Sequence, residues 1–347
     1  MRQPVTIIGG GLAGLTLGIG LRQRGVPVTV WEAGNYPRHR VCGEFISGSG
    51  QAVLERLELR PRFEDAGAFH ARTALFVSGP SRSPVRDLPE PALCLSRYSM
   101  DAMLAETLQQ AGGELRVNSR WTGGENKEGI VLAAGRRLLP ATNGWRWFGV
   151  KAHVSRMKAP ELAADLEMHV SAAGYVGVNR INDGQVNVCG LFRARPGAAP
   201  AESRLQWLRG KPGSTLHERL RSAEFEPGSF CSVAGLCLTP QRAAAKAECC
   251  IGDALTLTPP VTGNGMSMAF ESAELAIEPL AAYSRAEMSW SEAQKTIARR
   301  CDAAFTRRLA WARWLQWLMF SPLLRGKAGA VVLRSDALWQ FLFARTR

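Results

Sequence analysis

Glycine residues follow the first apolar run of the chain at a spacing that suits phosphate binding. Val5–Ile8 has the composition of a buried strand, and Gly9, Gly11 and Gly14 come directly after it. The first glycine permits a tight turn, the second lets the backbone approach a pyrophosphate, and the third lets a helix pack closely on the strand. Backbone amides at the start of that helix carry partial positive charge. We therefore expect this segment, including Ala13, to bind the pyrophosphate of a dinucleotide.

An acidic residue closes the second strand-like run. The segment from residue 26 to 31 is largely apolar, and Glu32 follows it, 23 residues after Gly9. A carboxylate at this distance can accept hydrogen bonds from both hydroxyls of an adenosine ribose. The order of strand, glycine turn, helix, strand and acid therefore predicts a site for FAD or NAD rather than NADP.

A second glycine-rich element occurs near residue 260. A short strand ends in Gly252-Asp253, and a glycine loop then precedes a helix that we expect to begin near Ser267. The Asp253 carboxylate can accept a hydrogen bond from a ribityl hydroxyl. The loop amides can face the N1/C2 carbonyl side of a flavin ring, which carries negative charge when the flavin is reduced. NAD needs no such element, so the predicted cofactor is FAD. The residues expected to bind it here are Gly252, Asp253, Pro260, Gly263, Asn264, Gly265 and Met266.

Four segments together resemble the FAD-dependent oxidoreductase superfamily that contains p-hydroxybenzoate hydroxylase, geranylgeranyl reductase and the flavin-dependent halogenases. They are GGGLAG with Glu32, RHRVCGE at 38–44, Leu95-Ser96-Arg97 before a helix expected from Asp101, and GDALTLTPPVTGNGMSMAFESAE. The resemblance covers roughly residues 1–285 and is nearest to the geranylgeranyl-reductase-like branch. It implies an α/β fold (α+β overall), with a Rossmann-like FAD-binding domain interrupted by an antiparallel-sheet substrate domain, and a C-terminal helical tail.

The chain divides on this basis into three regions. The FAD-binding domain is expected at 1–72, 97–145 and 230–285, the substrate domain at 73–96 and 146–229, and the C-terminal helical region at 286–347. Strand-like runs between 148 and 192, with a turn signal at Asn182-Asp183-Gly184, predict a hairpin in the middle region. We expect this sheet to roof the flavin and to shape a substrate cavity.

The resemblance also implies roles for individual side chains near the cofactor. Arg97 occupies a position similar to that of an arginine that contacts the FAD pyrophosphate, and Arg40 is placed near the adenine side. Cys42 lies in a Cys-Gly loop beside the flavin ring, where a thiol can position substrate, donate a proton or shield the ring. The alternative for Cys42 is an ordinary small residue in a tight loop. Glu44 would orient that loop or act as an acid, and Tyr175 is retained from a substrate motif of geranylgeranyl reductases.

Two departures from the superfamily pattern bear on the reaction. Hydroxylases carry an Asp-Gly pair where this chain has Ala134-Gly135, and the tryptophan motif of many halogenases is absent. We therefore expect a reductase or dehydrogenase of a lipophilic prenyl or polyketide-type molecule, with hydride transfer at the N5/C4a edge of the flavin. The alternative is an aromatic or polyketide monooxygenase; a halogenase is less favoured, and a non-enzymatic flavin carrier is a third class. NAD(P)H is the expected electron donor, and Arg136 and Arg137 could attract its phosphate.

The formal net charge of +13 is concentrated at the C-terminus. The last 49 residues hold ten Lys/Arg, two acids and four of the ten tryptophans: Trp311, Trp314, Trp317 and Trp339. This pattern is typical either of helices that pack on the body of the protein or of a basic, Trp-rich helix in a membrane interface. No nucleic-acid-binding module accompanies the charge, so no nucleic-acid partner is expected. Eight irregularly spaced cysteines without a CxxC pair predict reduced thiols, no metal site and a cytoplasmic protein, with membrane association left open.

Overall fold

The computed structural model describes residues 2–123, 127–136, 146–195, 204–321 and 334–346. The strands are β1 (Val5–Ile8), β2 (Val28–Trp31), β3 (Phe45–Ile46), β4 (Phe69–Ser78), β5 (Ser81–Arg82), β6 (Arg86–Cys94), β7 (Glu114–Arg116), β8 (Ile130–Leu132), β9 (Arg146–Val154), β10 (Leu166–Val170), β11 (Gly174–Arg180), β12 (Val186–Ala194), β13 (Cys231–Ala234) and β14 (Cys249–Cys250). The helices are α1 (Leu12–Gln23), α2 (Ser49–Arg56), α3 (Arg60–Asp65), α4 (Arg97–Gln110), α5 (Leu205–Arg209), α6 (Thr215–Arg219), α7 (Gly265–Ser284), α8 (Trp290–Phe320) and α9 (Asp336–Thr346).

The first sheet is parallel, with strand order β14-β8-β1-β2-β7. Val5 and Ile7 of β1 are fully buried in an apolar core that α1, α4 and α7 also enter. A continuous apolar run is what a parallel strand requires when helices cover its sheet. Because parallel strands end at the same edge, β1, β8 and β14 bring the glycine turn, residues 133–136 and Gly252-Asp253 together.

Helix α4 begins earlier than the sequence indicates. It starts at Arg97 rather than at Asp101, because Ser96 adopts an extended conformation and its hydroxyl accepts a hydrogen bond from the Ser99 amide. Arg97 is therefore the first residue of the helix, and Asp101 lies one turn further along the same face.

The second sheet is built mainly from antiparallel pairs, in the order β13-β9-β12-β11-β10-β4-β6-β3, with β5 paired to β4. Its one parallel pairing among the described strands joins β4 to β10. The predicted turn at 182–184 links β11 to β12, as expected. The predicted fold class, a Rossmann-like domain interrupted by a largely antiparallel sheet, is confirmed.

The domain limits stay a prediction, and two strands cross them. Strand β4 begins at Phe69, four residues before the expected start of the substrate domain, and β13, inside the expected FAD-binding segment, pairs with β9. Both strands hydrogen-bond within the second sheet, so the extent of that sheet is set by strand pairing and not by the predicted limits.

The described part of the C-terminal region contains the helices α8 and α9. A capping box at Ser289 and Glu292 begins α8, and the ion pair between Asp336 and Arg86 holds α9 against β6 at 2.7 Å. None of the helices in the described ranges combines the length and apolar character needed to span a bilayer. All eight cysteines lie in these ranges as free thiols.

Candidate active site

The glycine turn after β1 is shaped by close backbone contacts. Gly9 has φ of +114°, in the region that favours glycine, and a Cβ there would overlap the backbone of Ala133. A Cβ at Gly14 would overlap the carbonyl oxygen of Gly9. Gly11 differs, because a Cβ there would meet nothing within 4 Å and the residue lines a cavity. The structure thus keeps open space where the first amides of α1 are exposed, which fits an approaching phosphate.

Glu32 lies at the end of β2 and faces the glycine turn. Its carboxylate accepts hydrogen bonds from the amides of Gly10 (3.0 Å) and Gly34 (2.8 Å), and the Arg38 guanidinium is 2.7 Å away. Burial by itself would raise the pKa of Glu32, but the Arg38 hydrogen bond, the Gly34 amide and the charges of Arg38 and Arg40 outweigh it and lower the pKa. Glu32 is therefore an anionic acceptor beside the turn, as ribose binding requires.

Asp101 organises the two arginines that the sequence placed near the cofactor. Its fully buried carboxylate receives two hydrogen bonds from Arg97, at 2.7 and 2.8 Å, and one from Arg40 at 3.2 Å. Arg40 also lies 3.6 Å from Glu32, so it bridges two carboxylates. Paired guanidinium groups are held in a fixed orientation, which suits recognition of a planar or phosphate anion. Arg97 lines the cavity, whereas Arg40 is set behind it.

The second glycine element lies on the other side of the same cavity. Asp253, Pro260, Gly263, Gly265 and Met266 all contribute to its wall. Burial raises the pKa of Asp253, against the opposing charges of Arg136, Arg97 and Arg40. None of the hydrogen bonds or ion pairs among the described residues engages the Asp253 carboxylate. The Asp253 carboxylate is half-buried in the cavity wall and is therefore available to a ligand.

Conformational limits explain the glycines of this element. Gly263 has φ of +68°, and a Cβ there would overlap the Phe45 ring, whereas Gly265 opens onto free space at the start of α7. Asn264 is the N-cap of α7, and Gly252, with φ of +58°, packs on Ala13 of α1. The two motifs that the sequence predicted for FAD therefore meet across one cavity, and the residues present fit that cofactor.

The Cys42–Glu44 loop forms a third wall. The Cys42 thiol accepts a hydrogen bond from the Glu44 amide at 3.4 Å, and the Asn187 amide donates to the carbonyls of Cys42 (3.2 Å) and Gly43 (3.0 Å). Burial raises the pKa of Cys42 in spite of the nearby Arg97 charge. The thiol is therefore protonated near neutral pH, so it can donate a hydrogen bond or shield the cavity but is a weak nucleophile.

Glu44 lies in a buried ionic cluster that the sequence does not reveal. Its carboxylate is 3.1 Å from the Lys151 ammonium, 2.6 Å from Nε2 of His153 and 2.9 Å from the Arg97 amide, and the residue is fully buried. Burial alone would raise the pKa of Glu44, but hydrogen bonding to His153 and the charges of Lys151 and His153 lower it. Glu44 also has φ of +57°, a costly conformation for a residue with a side chain. The cluster holds it there as an anion.

His39 completes this cluster on its outer side. The Lys151 ammonium lies 3.2 Å from Nδ1 of His39, whose ring stacks on Tyr98 and meets the His153 ring edge-on. Burial and the charges of Lys151 and His153 lower the pKa of His39 to about 4. A neutral imidazole can accept the Lys151 hydrogen bond. At neutral pH the cluster therefore contains the Glu44 carboxylate, the Lys151 ammonium and uncharged His39, and His153 contacts the carboxylate.

The remaining walls of the cavity are apolar. The cavity has a volume of about 230 Å³, and β10, β11 and β12 present Met168, Tyr175 and Leu191 to it, while Leu236 and Leu257 complete that side. Burial raises the pKa of Tyr175 well above its usual value, and its enclosed hydroxyl has no hydrogen-bond partner in the described ranges. Mainly apolar walls with an unpartnered, protonated hydroxyl suit a small, mainly hydrophobic ligand.

The structure gathers most of the predicted site residues around this cavity. Those in its wall are Gly11, Ala13, Cys42, Glu44, Arg97, Tyr175, Asp253, Pro260, Gly263, Gly265 and Met266. Gly9, Gly14, Glu32, Arg40, Gly252 and Asn264 lie behind them and shape the turns or hold charged groups. Arg136 lines the cavity, and Arg137 falls outside the described residues.

Three residues of the site were not identified from the sequence: Asp101, Lys151 and His39. Lys151 lies within a strand that alternates apolar and polar residues. The one sequence feature that could have identified it is a lysine at a strand position that faces inward. His153, on the same strand as Lys151, contacts Glu44, although a lone histidine on a strand usually has a structural role. His169, in contrast, pairs with Glu167 at 2.9 Å and does not line the cavity.

Comparison with known proteins agrees with this geometry. Residues 2–137 match the family described as FAD binding domain. Monooxygenase 1 of Arabidopsis thaliana is 29% identical over 117 residues, which cover 33% of this chain and only 29% of the plant protein. Menaquinone reductase of Mycolicibacterium smegmatis is 24% identical over an alignment that covers 97% of this chain and 89% of that protein.

Solved structures share the fold at low identity. A p-nitrophenol 4-monooxygenase of Pseudomonas putida has a TM-score of 0.76 at 16% identity, covering 99% of this chain and 97% of that one. A flavoprotein/dehydrogenase of Cytophaga hutchinsonii has a TM-score of 0.74 at 16% identity, covering 93% and 87%. The flavin-dependent brominase Bmp2 has a TM-score of 0.73 at 16% identity, covering 100% and 93%. The predicted superfamily and FAD-binding domain are confirmed, and the geranylgeranyl-reductase-like branch stays a prediction.

Proposed function

This chain is an FAD-dependent oxidoreductase, and we propose that it is a monooxygenase that hydroxylates a small apolar molecule with an aromatic or polyketide skeleton. The observation that carries the proposal is the cavity between the two FAD-binding motifs. Most of its lining residues are apolar, and the Tyr175 hydroxyl is enclosed there without a hydrogen-bond partner in the described ranges. The monooxygenases among the similar proteins, one matched in sequence and one in fold, support this reaction type over the reductase that the sequence favours.

Each group of residues has a distinct task in this proposal. The amides after Gly11, with Arg97 and Arg136, would hold the pyrophosphate, Glu32 the adenosine ribose and Asp253 the ribityl chain. Bound FAD supplies hydride transfer and, once reduced, activation of oxygen. The side chains of Met168, Leu191 and Leu236 exclude water from the substrate position, and the protonated Tyr175 hydroxyl would orient an oxygen substituent of the substrate.

The Cys42–Glu44 loop would hold the substrate against the cofactor. Its carbonyls are fixed by Asn187 and its carboxylate by Lys151 and His153, so the loop is pre-organised rather than closed by the ligand. Pre-organised groups lose little freedom on binding, which favours reaction geometry. The protonated Cys42 thiol lies in the wall as a hydrogen-bond donor.

A reductase of a lipophilic substrate is the second candidate, and one observation favours it. The similar protein that aligns with nearly the whole of this chain is a menaquinone reductase, at 24% identity. In that case the Cys42 thiol is placed to supply the proton of the reduction, and the bound cofactor would supply the hydride. NAD(P)H is the proposed electron donor in both candidates.

One experiment separates the two candidates. The FAD-loaded protein is reduced with NADPH, NADH or, independently of any natural donor, dithionite, and then mixed with 1-naphthol, 4-hexylphenol or a short-chain prenylated naphthoquinone. A monooxygenase transfers one atom of ¹⁸O₂ into the product, which mass spectrometry detects. A product that gains two hydrogens without oxygen, in the absence of air, would overturn the monooxygenase proposal and establish the reductase. Asp253→Ala protein without FAD is the control for any product formed without the cofactor.

A further inference from the structure

The outer face of α8 combines arginine and tryptophan side chains. Arg300, Arg307 and Arg313 are exposed, and Trp314 and Trp317 are 42% and 64% exposed. The opposite face is buried in the protein core through Ile297, Cys301, Phe305 and Leu309. Large apolar side chains grouped on the solvent side of a helix are typical of an interaction surface.

The charge of this face is entirely positive. Asp302 is the only acid between residues 299 and 321, and its carboxylate is occupied by the amides of Ala243 and Ala244, at 2.7 and 3.1 Å. Within the described ranges Arg307 and Arg313 form no ion pair, whereas Arg308 points inward to Glu271 at 2.7 Å. A cationic face with no compensating acid attracts an anionic surface.

Helix α9 extends the aromatic surface. The exposed Phe341 ring lies 5.5 Å from Trp311, which in turn lies 5.6 Å from Trp314, and the Arg345 guanidinium stands 5.2 Å above the Phe341 ring. We define the basic aromatic face as the exposed side chains of Arg307, Arg313, Trp314, Trp317 and Phe341 together with the half-buried Arg345.

The inner side of the same helix packs beside the substrate cavity. Leu315, Met319 and Phe320 join the apolar cluster that contains Tyr175 and Leu236, both of which line the cavity. The Phe320 ring lies 6.4 Å from Tyr175. One helix therefore separates the basic aromatic face from the site of reaction.

We propose that the basic aromatic face docks the protein on an anionic lipid bilayer. Tryptophan rings are stable at the level of the lipid headgroups, and arginine side chains bind the anionic phosphates there. A helix that lies in the interface buries its apolar side chains without crossing the bilayer. Docking requires no turnover; only the further step, passage of an apolar substrate from the bilayer into the adjacent cavity, rests on the proposed function.

Vesicle flotation tests the docking directly. The full chain with FAD is mixed with vesicles of phosphatidylcholine alone or of phosphatidylcholine and phosphatidylglycerol, and binding is expected to the anionic vesicles and to fall with added salt. Arg307→Gln/Arg313→Gln should lower the partition coefficient by about 30-fold, from about 1 kcal/mol per arginine. Trp314→Ala/Trp317→Ala should lower it by about tenfold.

A matched control lies on another part of the surface. Met157→Ala/Arg221→Gln also removes an exposed apolar group and an exposed arginine, and it should float as the wild type does. Flavin absorbance and unfolding temperature show that each variant is folded, and no turnover is measured, so a wrong reaction assignment leaves the result intact. Wild type that stays unbound, or face variants that float as well as the control, would overturn the proposal. Loss of oligonucleotide binding or of self-association in the face variants, without vesicle binding in the wild type, would assign the face to those partners instead.

Discussion

The Glu44 carboxylate and the Lys151 ammonium form an ion pair of 3.1 Å in which neither side chain is exposed. Glu44 belongs to the loop beside the cofactor site and Lys151 to β9 of the second sheet, 107 residues later in the chain. A buried charge is stable only while its partners remain. The pair therefore fixes the loop that carries Cys42 to the sheet that forms the opposite wall of the cavity.

Removal of one member of this pair should be strongly destabilising. Lys151→Met leaves the Glu44 carboxylate buried without its ammonium partner, so the free energy of unfolding should fall by about 3–5 kcal/mol. Urea unfolding at neutral pH measures this loss. The double variant Lys151→Met/Glu44→Gln should be more stable than the sum of the two single losses implies. Strict additivity would show that the two groups do not depend on each other.

The pH dependence of stability should follow the same cluster. The pKa of His39 is lowered from 6.5 to about 4, so the unfolded chain binds a proton that the folded chain does not between these values. The pKa of Glu44 is lowered as well, so its contribution is lost as pH falls further. The His39 effect makes the free energy of unfolding decrease as pH drops from 6.5 towards 4, and the Glu44 effect continues the decrease below the ordinary carboxyl pKa of 4.5. His39→Asn should flatten the upper part of this decrease in urea unfolding curves recorded across that range, and an unchanged slope would contradict the assignment.

Two glycines of the first turn should respond differently to substitution. A side chain at Gly11 meets nothing within 4 Å, so Gly11→Val should fold normally yet lose FAD, because the side chain occupies the approach of the phosphate. Gly14→Ala forces a methyl group against the Gly9 carbonyl, so it should lower the unfolding temperature as well as the FAD content. Flavin absorbance of the purified proteins and thermal unfolding of the FAD-free forms distinguish the two results. Full flavin occupancy in Gly11→Val would contradict the pyrophosphate position.

The Cys42 thiol should affect turnover without affecting cofactor binding. Its pKa is raised by burial, so it acts through hydrogen bonding or shape rather than as a thiolate. Cys42→Ala should retain FAD and lower kcat, and Cys42→Ser, which keeps a hydrogen-bond donor, should restore part of it. Steady-state kinetics with matched flavin content provide the measurement. Equal kcat in all three proteins would return Cys42 to the alternative of a small residue in a tight loop.

Tyr175 offers a substitution whose effects on stability and binding have opposite directions. Its hydroxyl is enclosed without a hydrogen-bond partner in the described ranges, a state that costs about 1–3 kcal/mol. Tyr175→Phe should therefore unfold at the same or a slightly higher temperature than the wild type, while KM for the substrate should rise. A lower unfolding temperature with an unchanged KM would mean that the hydroxyl serves the fold and not the ligand.

The cofactor site could be predicted from local sequence because its requirements are local. The turn after β1 demands glycine at Gly9 because φ is positive there, and at Gly14 because the Gly9 carbonyl lies against it, and Glu32 must follow β2 to reach the turn. The same holds for Gly263, whose positive φ favours glycine whatever lies around it. Parallel strand order then brings the two motifs together, and that order is implied by the alternation of strands and helices along the chain.

The substrate side was decided by tertiary structure. Lys151 and His153 become partners of Glu44 only because β9 passes beside the loop, and Asp101 binds Arg97 and Arg40 only because α4 begins at Arg97. Contacts between residues 50 to 110 positions apart produce no periodic pattern in a single sequence. A polar residue on a strand fits the sequence pattern equally well whether it faces solvent or a buried partner. Charge and tryptophan content identified the C-terminal tail as unusual from sequence alone. Only the packing of α8 showed that Phe320 lies on the cavity side and that Trp314 and Trp317 face the solvent, because a helix face is buried or exposed according to what lies against it.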